Sequence, residues 1–139
     1  MKIVIVIGWL KAQRETNTSL WLFAEAWNRG HEVWLLDYLN YGAWPDGTVV
    51  GRCVRPRHKG ATIGRAEVVR ALRSEDLDEA PQVLSDFDVA FLRNNPYERN
   101  SSWSERVANP SAMFGRAMER AGVLVINRPT SLAKYDGAL

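Results

Sequence analysis

Five consecutive β-branched residues, Ile3-Val4-Ile5-Val6-Ile7, open the chain, and no other feature limits its fold so strongly. Successive strand side chains point to opposite sides, so an apolar residue at every position means a strand buried on both faces. Such a strand needs cover above and below, and helices returning between parallel strands supply it. Gly8 ends the run. Thr16-Asn17-Thr18-Ser19 then offers N-caps for a helix beginning near Leu20, whose Leu20, Phe23, Ala24 and Trp27 recur at helical spacing. Arg29-Gly30 closes that helix and His31–Leu36 reads as the second strand. A strand, a helix and a strand in about forty residues make a right-handed crossover, hence an α/β protein.

The pattern recurs downstream. Val89–Leu92 is a short apolar run bounded by polar residues, which reads as a buried strand, and Pro96 stops it from continuing. Asn109-Pro110 begins a helix with the stripe Met113, Phe114, Ala117, Met118 and Ala121, and Gly122 ends it. Val123–Ile126 is then a fourth core strand, apolar on both faces. Between the second and third of these strands, Pro45-Asp46-Gly47-Thr48 marks a hairpin peripheral to the sheet. Thr62–Arg73 carries a weaker helical pattern through Ile63, Ala66, Val69 and Leu72, and Glu75–Glu79 reads as a solvated acidic segment. The expected fold is a Rossmann-like three-layer α/β/α domain with a mainly parallel central sheet and a peripheral β-hairpin.

Composition narrows the function classes. In 139 residues, 46% hydrophobic and 24% charged, the net charge is +2 with both signs mixed. That leaves no nucleic-acid or membrane footprint. The cations of Arg52–Arg70, opposed by Glu67 alone, read as a solvated face before an anion-binding patch. One cysteine, Cys53, supports no disulfide framework and points to a cytoplasmic setting. Neither His31 nor His58 has metal-ligand spacing, and Ser101 and Ser102 lack the company a hydrolase triad needs. Gly8-Trp9-Leu10 is not a dinucleotide fingerprint. Loop tryptophans such as Trp9, Trp44 and Trp103 read first as packing residues.

By this chemistry the domain is a binder, with no catalytic residue and no metal ligand of its own. If the first strand neighbours both the second and the Val89 strand, the order reverses beside it, and open α/β sheets bind ligands at such a point. One lip of that crevice carries Trp9, Thr16, Asn17 and Thr18, the other Arg93, Asn94 and Asn95. Arg93 is the foremost candidate, because a guanidinium at a strand end holds a carboxylate or phosphate in bidentate fashion. The plainer reading pairs it structurally with Asp88 or Glu98, and makes Asn94 and Asn95 turn residues.

Several segments in order resemble the N-terminal domain of prokaryotic glutathione synthetase. They are Met1–Ile7, Asn28–Val33, the Asp46-Gly47 hairpin, Leu84–Val89, Leu92-Arg93 with Pro96, and Ala121–Pro129 with Ser131-Leu132. Phe114-Gly115-Arg116 with Arg120-Ala121-Gly122 points to a divergent branch of the ATP-grasp ligases. The resemblance implies an ATP-dependent carboxylate–amine ligase that joins γ-glutamylcysteine to glycine through an acyl phosphate. ATP and magnesium would then belong to ATP-grasp domains of the same polypeptide, with none in this chain, which alone would be inactive. Residues 1–129 would be the substrate-side domain and 130–139 the start of a linker helix. Arg93 matches the family's strand-end arginine, which helps hold the peptide's carboxylate; a homo-oligomer is a further expectation. Two departures bear on the substrate: Asn94-Asn95 replaces the family's Lys-Asp, and Gly8-Trp9-Leu10 its Asp-Pro-Ile. Two other readings compete. One is the acceptor half of a GT-B-like glycosyltransferase, the other a non-enzymatic binding or oligomerisation module.

Overall fold

The computed structural model describes residues 1–93 and 110–127, with the side chains of 110–112 left aside. Among the described residues it is a mixed α/β domain with one seven-stranded sheet and three α-helices. The chain runs β1 (Lys2–Ile7), α1 (Thr18–Asn28), β2 (Glu32–Asp37), β3 (Tyr41–Ala43), β4 (Val49–Pro56), α2 (Arg65–Ser74), β5 (Leu77–Val83), β6 (Val89–Leu92), α3 (Pro110–Arg120) and β7 (Leu124–Ile126). Four strands lie parallel in the order β2-β1-β6-β7, so β1 touches both β2 and β6 and the order reverses beside it.

The run of β-branched residues does what its pattern requires. Ile3, Ile5 and Ile7 enter one core with Leu20 and Phe23 of α1 and Val68, Val69 and Leu72 of α2. Val4 and Val6 enter the other, with Trp34, Leu36 and α3's Phe114 and Met118. Each β1 residue from Ile3 to Ile7 is at most 5% exposed. Asn28 ties the segment before α2 to the end of α1, donating to Ile63 O (3.2 Å) and accepting from Ile63 N–H (2.7 Å).

Several expectations need correction. The sheet is mixed rather than mainly parallel, because three of its six pairings are antiparallel. The hairpin turns where expected, with Gly47 at φ 88° and Asp46 Oδ1 accepting from Thr48 N–H at 2.9 Å. It flanks the four parallel strands, as expected, but joins their sheet: β4 pairs with β2 at Leu35↔Val54, and its Cys53 is fully buried.

The acidic segment Glu75–Glu79 largely belongs to β5, which lies along β4 from Val50↔Val83 to Pro56↔Leu77. Arg52 pairs with Glu79, and Arg57 reaches Asp78 (3.2 Å) and Asp76 (3.6 Å). The basic run and the acidic run are therefore two sides of one ladder, where opposite charges across strands stabilise pairing. Pro81 fits because β5 has β4 as its only sheet partner among the described residues, and an edge strand tolerates a missing donor.

Smaller corrections concern faces. In α3, Met113 is 56% exposed and Ala121 lies past the helix, so Phe114 and Met118 carry the packing. In α2, Val68 is buried and Ala66 is not. In β7 only Val125 is buried; Leu124 and Ile126 are exposed.

Candidate functional site at the strand ends

The four parallel strands release the chain at one edge of the sheet. Tyr38 follows β2, Gly8 follows β1, Arg93 follows β6 and Asn127 follows β7. Because Val6 stands opposite Leu92, Arg93 lies level with Ile7 and next to the exit of β1. The Arg93 N–H donates to Val6 O at 2.8 Å, and Asn127 Nδ2 donates to Leu92 O at 2.8 Å. Both bonds fix the backbone from which the arginine projects.

Arg93 is exposed. Its expected structural partner Asp88 is engaged elsewhere, at the start of β6, where Oδ2 accepts from Lys2 N–H at 2.7 Å. The pairing with Asp88 therefore fails as an account of Arg93. Glu98, Asn94, Asn95 and Trp103 lie outside the described residues.

The opposite lip is the loop from Gly8 to Asn17. Tyr38 sets its first residue: its N–H donates to Ile7 O at 3.2 Å, and its ring lies so close that a Cβ on Gly8 would come within 2.6 Å of Cε1. Trp9 then takes left-handed backbone (φ 54°), uncommon for a residue with a side chain, and stands 74% exposed. Trp44 is also exposed, at 55%, so neither of these tryptophans serves the packing role expected of it.

After a single 3₁₀ turn at Leu10–Ala12, Gln13 clasps the loop. Its Nε2 donates to Gly8 O at 2.8 Å, and its Oε1 accepts from Asn17 Nδ2 at 2.8 Å. Asn17 is the N-cap of α1, yet its side chain makes no capping bond, being turned to Gln13 instead. Thr16 and Thr18 flank it, both exposed.

Helix α2 holds the same loop from outside. Arg65 donates to Glu15 O at 2.8 Å, Arg73 donates to Gln13 O at 3.5 Å, and Lys11 pairs with Glu75. The Lys11 hydrogen bond and charge hold the Glu75 carboxyl below its usual range. Trp9, Thr16, Asn17 and Thr18 lie in the connection that leaves β1, and Arg93 directly follows the neighbouring β6. Gln13 and Tyr38 escaped the sequence reading. Tyr38 had a signal, an aromatic directly after the second strand; Gln13 had none, being one amide in a polar loop.

One concavity elsewhere on the domain belongs to the scaffold. A depression of about 130 Å³ beside α2 is lined by Pro56, Arg57, His58, Ile63, Glu67 and Arg70 among others, and by no strand-end residue. Arg57 is spent there on Asp78, Asp76 and Leu77 O, and His58 on Thr62 O (2.7 Å) and Glu67 (3.4 Å).

Among the described residues the strand-end edge offers amides, hydroxyls and three cations, Arg93 after β6 with Arg14 and the Glu75-paired Lys11 in the facing loop, and no nucleophile–base pair. That inventory suits binding a small anion more than breaking a bond. Among the described residues no three His, Cys, Asp or Glu side chains converge as metal ligands, and no helix is long and apolar enough to cross a membrane. The family model described as prokaryotic glutathione synthetase, N-terminal domain, matches residues 1–133, and the chain belongs to that family. No curated protein matches the chain.

Proposed function

We propose that this member of the glutathione synthetase N-terminal family is the substrate-side domain of a cytoplasmic ATP-dependent carboxylate–amine ligase, inactive without its ATP-grasp domains. Its Rossmann-like, two-sided core serves to hold the strand-end crevice open. Arg93 binds the carboxylate of a small γ-glutamyl peptide, with Asn94 and Asn95 following it and Trp9, Thr16, Asn17 and Thr18 lining the facing lip. Residues 1–129 form this domain, and 130–139 begin the connection to the rest of the polypeptide.

The observation that carries the reading is the place of Arg93: exposed, level with the exit of β1, and with Asp88 committed to Lys2. The described residues do not fit ATP or magnesium, having neither a phosphate-cradling glycine loop after β1 nor a group of metal-ligating side chains. In this reading both are bound by the ATP-grasp domains, and no chemical step is assigned to this chain.

Calorimetric titration of the chain with γ-glutamylcysteine, and separately with magnesium–ATP, tests it. The dipeptide should bind, and Arg93→Ala should weaken it about tenfold or more, since a hydrogen bond to a charged group is worth roughly 1.5–3 kcal/mol. ATP should not saturate the chain. Tight ATP binding, or equal dipeptide affinity in the variant, would overturn the assignment.

A further inference from the structure

Left-handed backbone is uncommon outside glycine, and among the described residues three others adopt it: Trp9 (φ 54°), Glu75 (φ 59°) and Asn127 (φ 65°). Asparagine tolerates that conformation; glutamate does not. Glu75 caps the C-terminal end of α2, where its own N–H and that of Asp76 both donate to Ala71 O, the second at 3.1 Å. Helices that end on a left-handed residue usually carry glycine there. Strained conformations persist where the surroundings hold them, and they gather at functional sites. What holds this one is the Glu75 side chain. Its carboxylate pairs with Lys11, the middle residue of the 3₁₀ turn Leu10–Ala12, and that pairing keeps the carboxyl below its usual range.

The same turn begins at Trp9, the exposed left-handed residue that follows β1. No residue of the turn is buried, although Leu10 packs on the margin of the first core. Its place therefore depends largely on polar tethers. The Gln13 clasp ties the two ends of the loop to each other, Gly8 O to Asn17, and not the turn to the body of the domain. The end of α2 does that, through Glu75 to Lys11 and through Arg73 to Gln13 O at 3.5 Å. We propose that Glu75 is a positioning residue for the strand-end site: through Lys11 it holds the turn to α2 and so fixes where Trp9 stands relative to Arg93. The proposal rests on the reading of that edge as a peptide-carboxylate site, and adds to it a residue that need not touch the ligand. Glycine at position 75 would relieve the helix end and release the turn; glutamate does the reverse.

Glu75→Gly in the full 139-residue chain tests this, because stability and positioning should move in opposite directions. Glycine suits the left-handed cap, so the melting temperature should hold or rise by up to a few degrees. The turn should loosen nonetheless. The amides of Ala12 and Gln13, which donate to Trp9 O and Leu10 O, should exchange a few-fold faster, as they should in Lys11→Met. Both side chains of the pair are 67% exposed, and a pair so exposed shifts an equilibrium by at most about fivefold. Lys11→Glu combined with Glu75→Lys rebuilds the pair and should restore the slow exchange. γ-Glutamylcysteine should bind Glu75→Gly up to about fivefold more weakly than the parent chain, with no loss of melting temperature. Unchanged exchange of both amides would overturn the proposal. So would faster exchange with unchanged dipeptide affinity, or a melting temperature that falls in step with affinity, which would make Glu75 a structural residue only. A parent chain that binds no dipeptide would instead defeat the peptide-carboxylate reading, and the exchange cycle would still decide whether Glu75 holds the turn.

Discussion

Gly8→Ala is the sharpest probe of how the strand-end edge is built. Gly8 does not sit in left-handed backbone, unlike Gly30, Gly47 and Gly122, so alanine fits its conformation. The whole cost is contact: the new Cβ would lie 2.6 Å from Tyr38 Cε1 and 3.2 Å from Cδ1. Ordinary carbon contacts are about 3.5–4.0 Å, so the ring must withdraw by about 1 Å. It cannot do so freely, because Tyr38 is partly buried against the second core and its N–H is bound to Ile7 O. Overpacking of this kind costs about 1–3 kcal/mol. With an unfolding entropy near 2.1 cal/mol/K per residue, the 139-residue chain has a slope of about 0.3 kcal/mol per degree, so the variant should melt about 3–10 °C lower.

The control is the same substitution in a Tyr38→Ala background. There the clash is gone and only the loss of glycine's unfolded-state freedom remains, so Gly8→Ala should be neutral or stabilising by up to about 1 kcal/mol. Denaturant melts followed by tryptophan fluorescence would measure all four corners of the cycle. An equal loss in both backgrounds would show that Tyr38 is not what keeps position 8 a glycine.

Cys53 and Gln13 give two further tests. Burial pushes the Cys53 thiol up from 9.0 to about 12, so it should resist thiol reagents in the native state at pH 8 and react at once on unfolding. Because the native state keeps a proton that the unfolded state releases, its contribution is intact below pH 9 and falls by up to about 1.4 kcal/mol per pH unit toward pH 12. Cys53→Ala should flatten that alkaline limb, and an unchanged slope would refute the assignment. Gln13→Ala removes two 2.8 Å hydrogen bonds and should cost about 1–2 kcal/mol. Exchange should quicken across Gly8–Asn17 and stay slow in Val4–Ile7; a uniform increase would mean that Gln13 does not act locally.

What the sequence made legible follows from where one force dominates. In β1 and β6 nearly every side chain is apolar, so burial alone decides; the order β2-β1-β6-β7 is not set by the sequence, because right-handed crossovers fix the face a helix covers and not which strand lies next. The reading failed at β5, whose Asp78, Glu79 and Pro81 argue against a strand by propensity. Its stability is not local: it depends on β4, about twenty-five residues earlier, presenting Arg52 and Arg57 to it. Charge complementarity between distant runs has no period to detect, so two halves of one ladder passed for two solvated segments.

The candidate site divides in the same way. Arg93 was visible because a cation directly after an apolar run has few places to go. The shape of the facing lip was not, because it is set by contacts between loops: Tyr38 on Gly8, Gln13 across to Asn17, and Arg65, Arg73 and Lys11–Glu75 binding the loop to α2. Those contacts consume side chains that would otherwise count as ligand candidates, Asn17 first among them. The Asn17 amide keeps its second N–H and its oxygen, but turning it away from Gln13 toward a ligand would break that bond, which costs about 1 kcal/mol of affinity. Arg93, facing solvent and held by its backbone alone among the described residues, has no such debt, and an incoming carboxylate should meet it before the amide of Asn17.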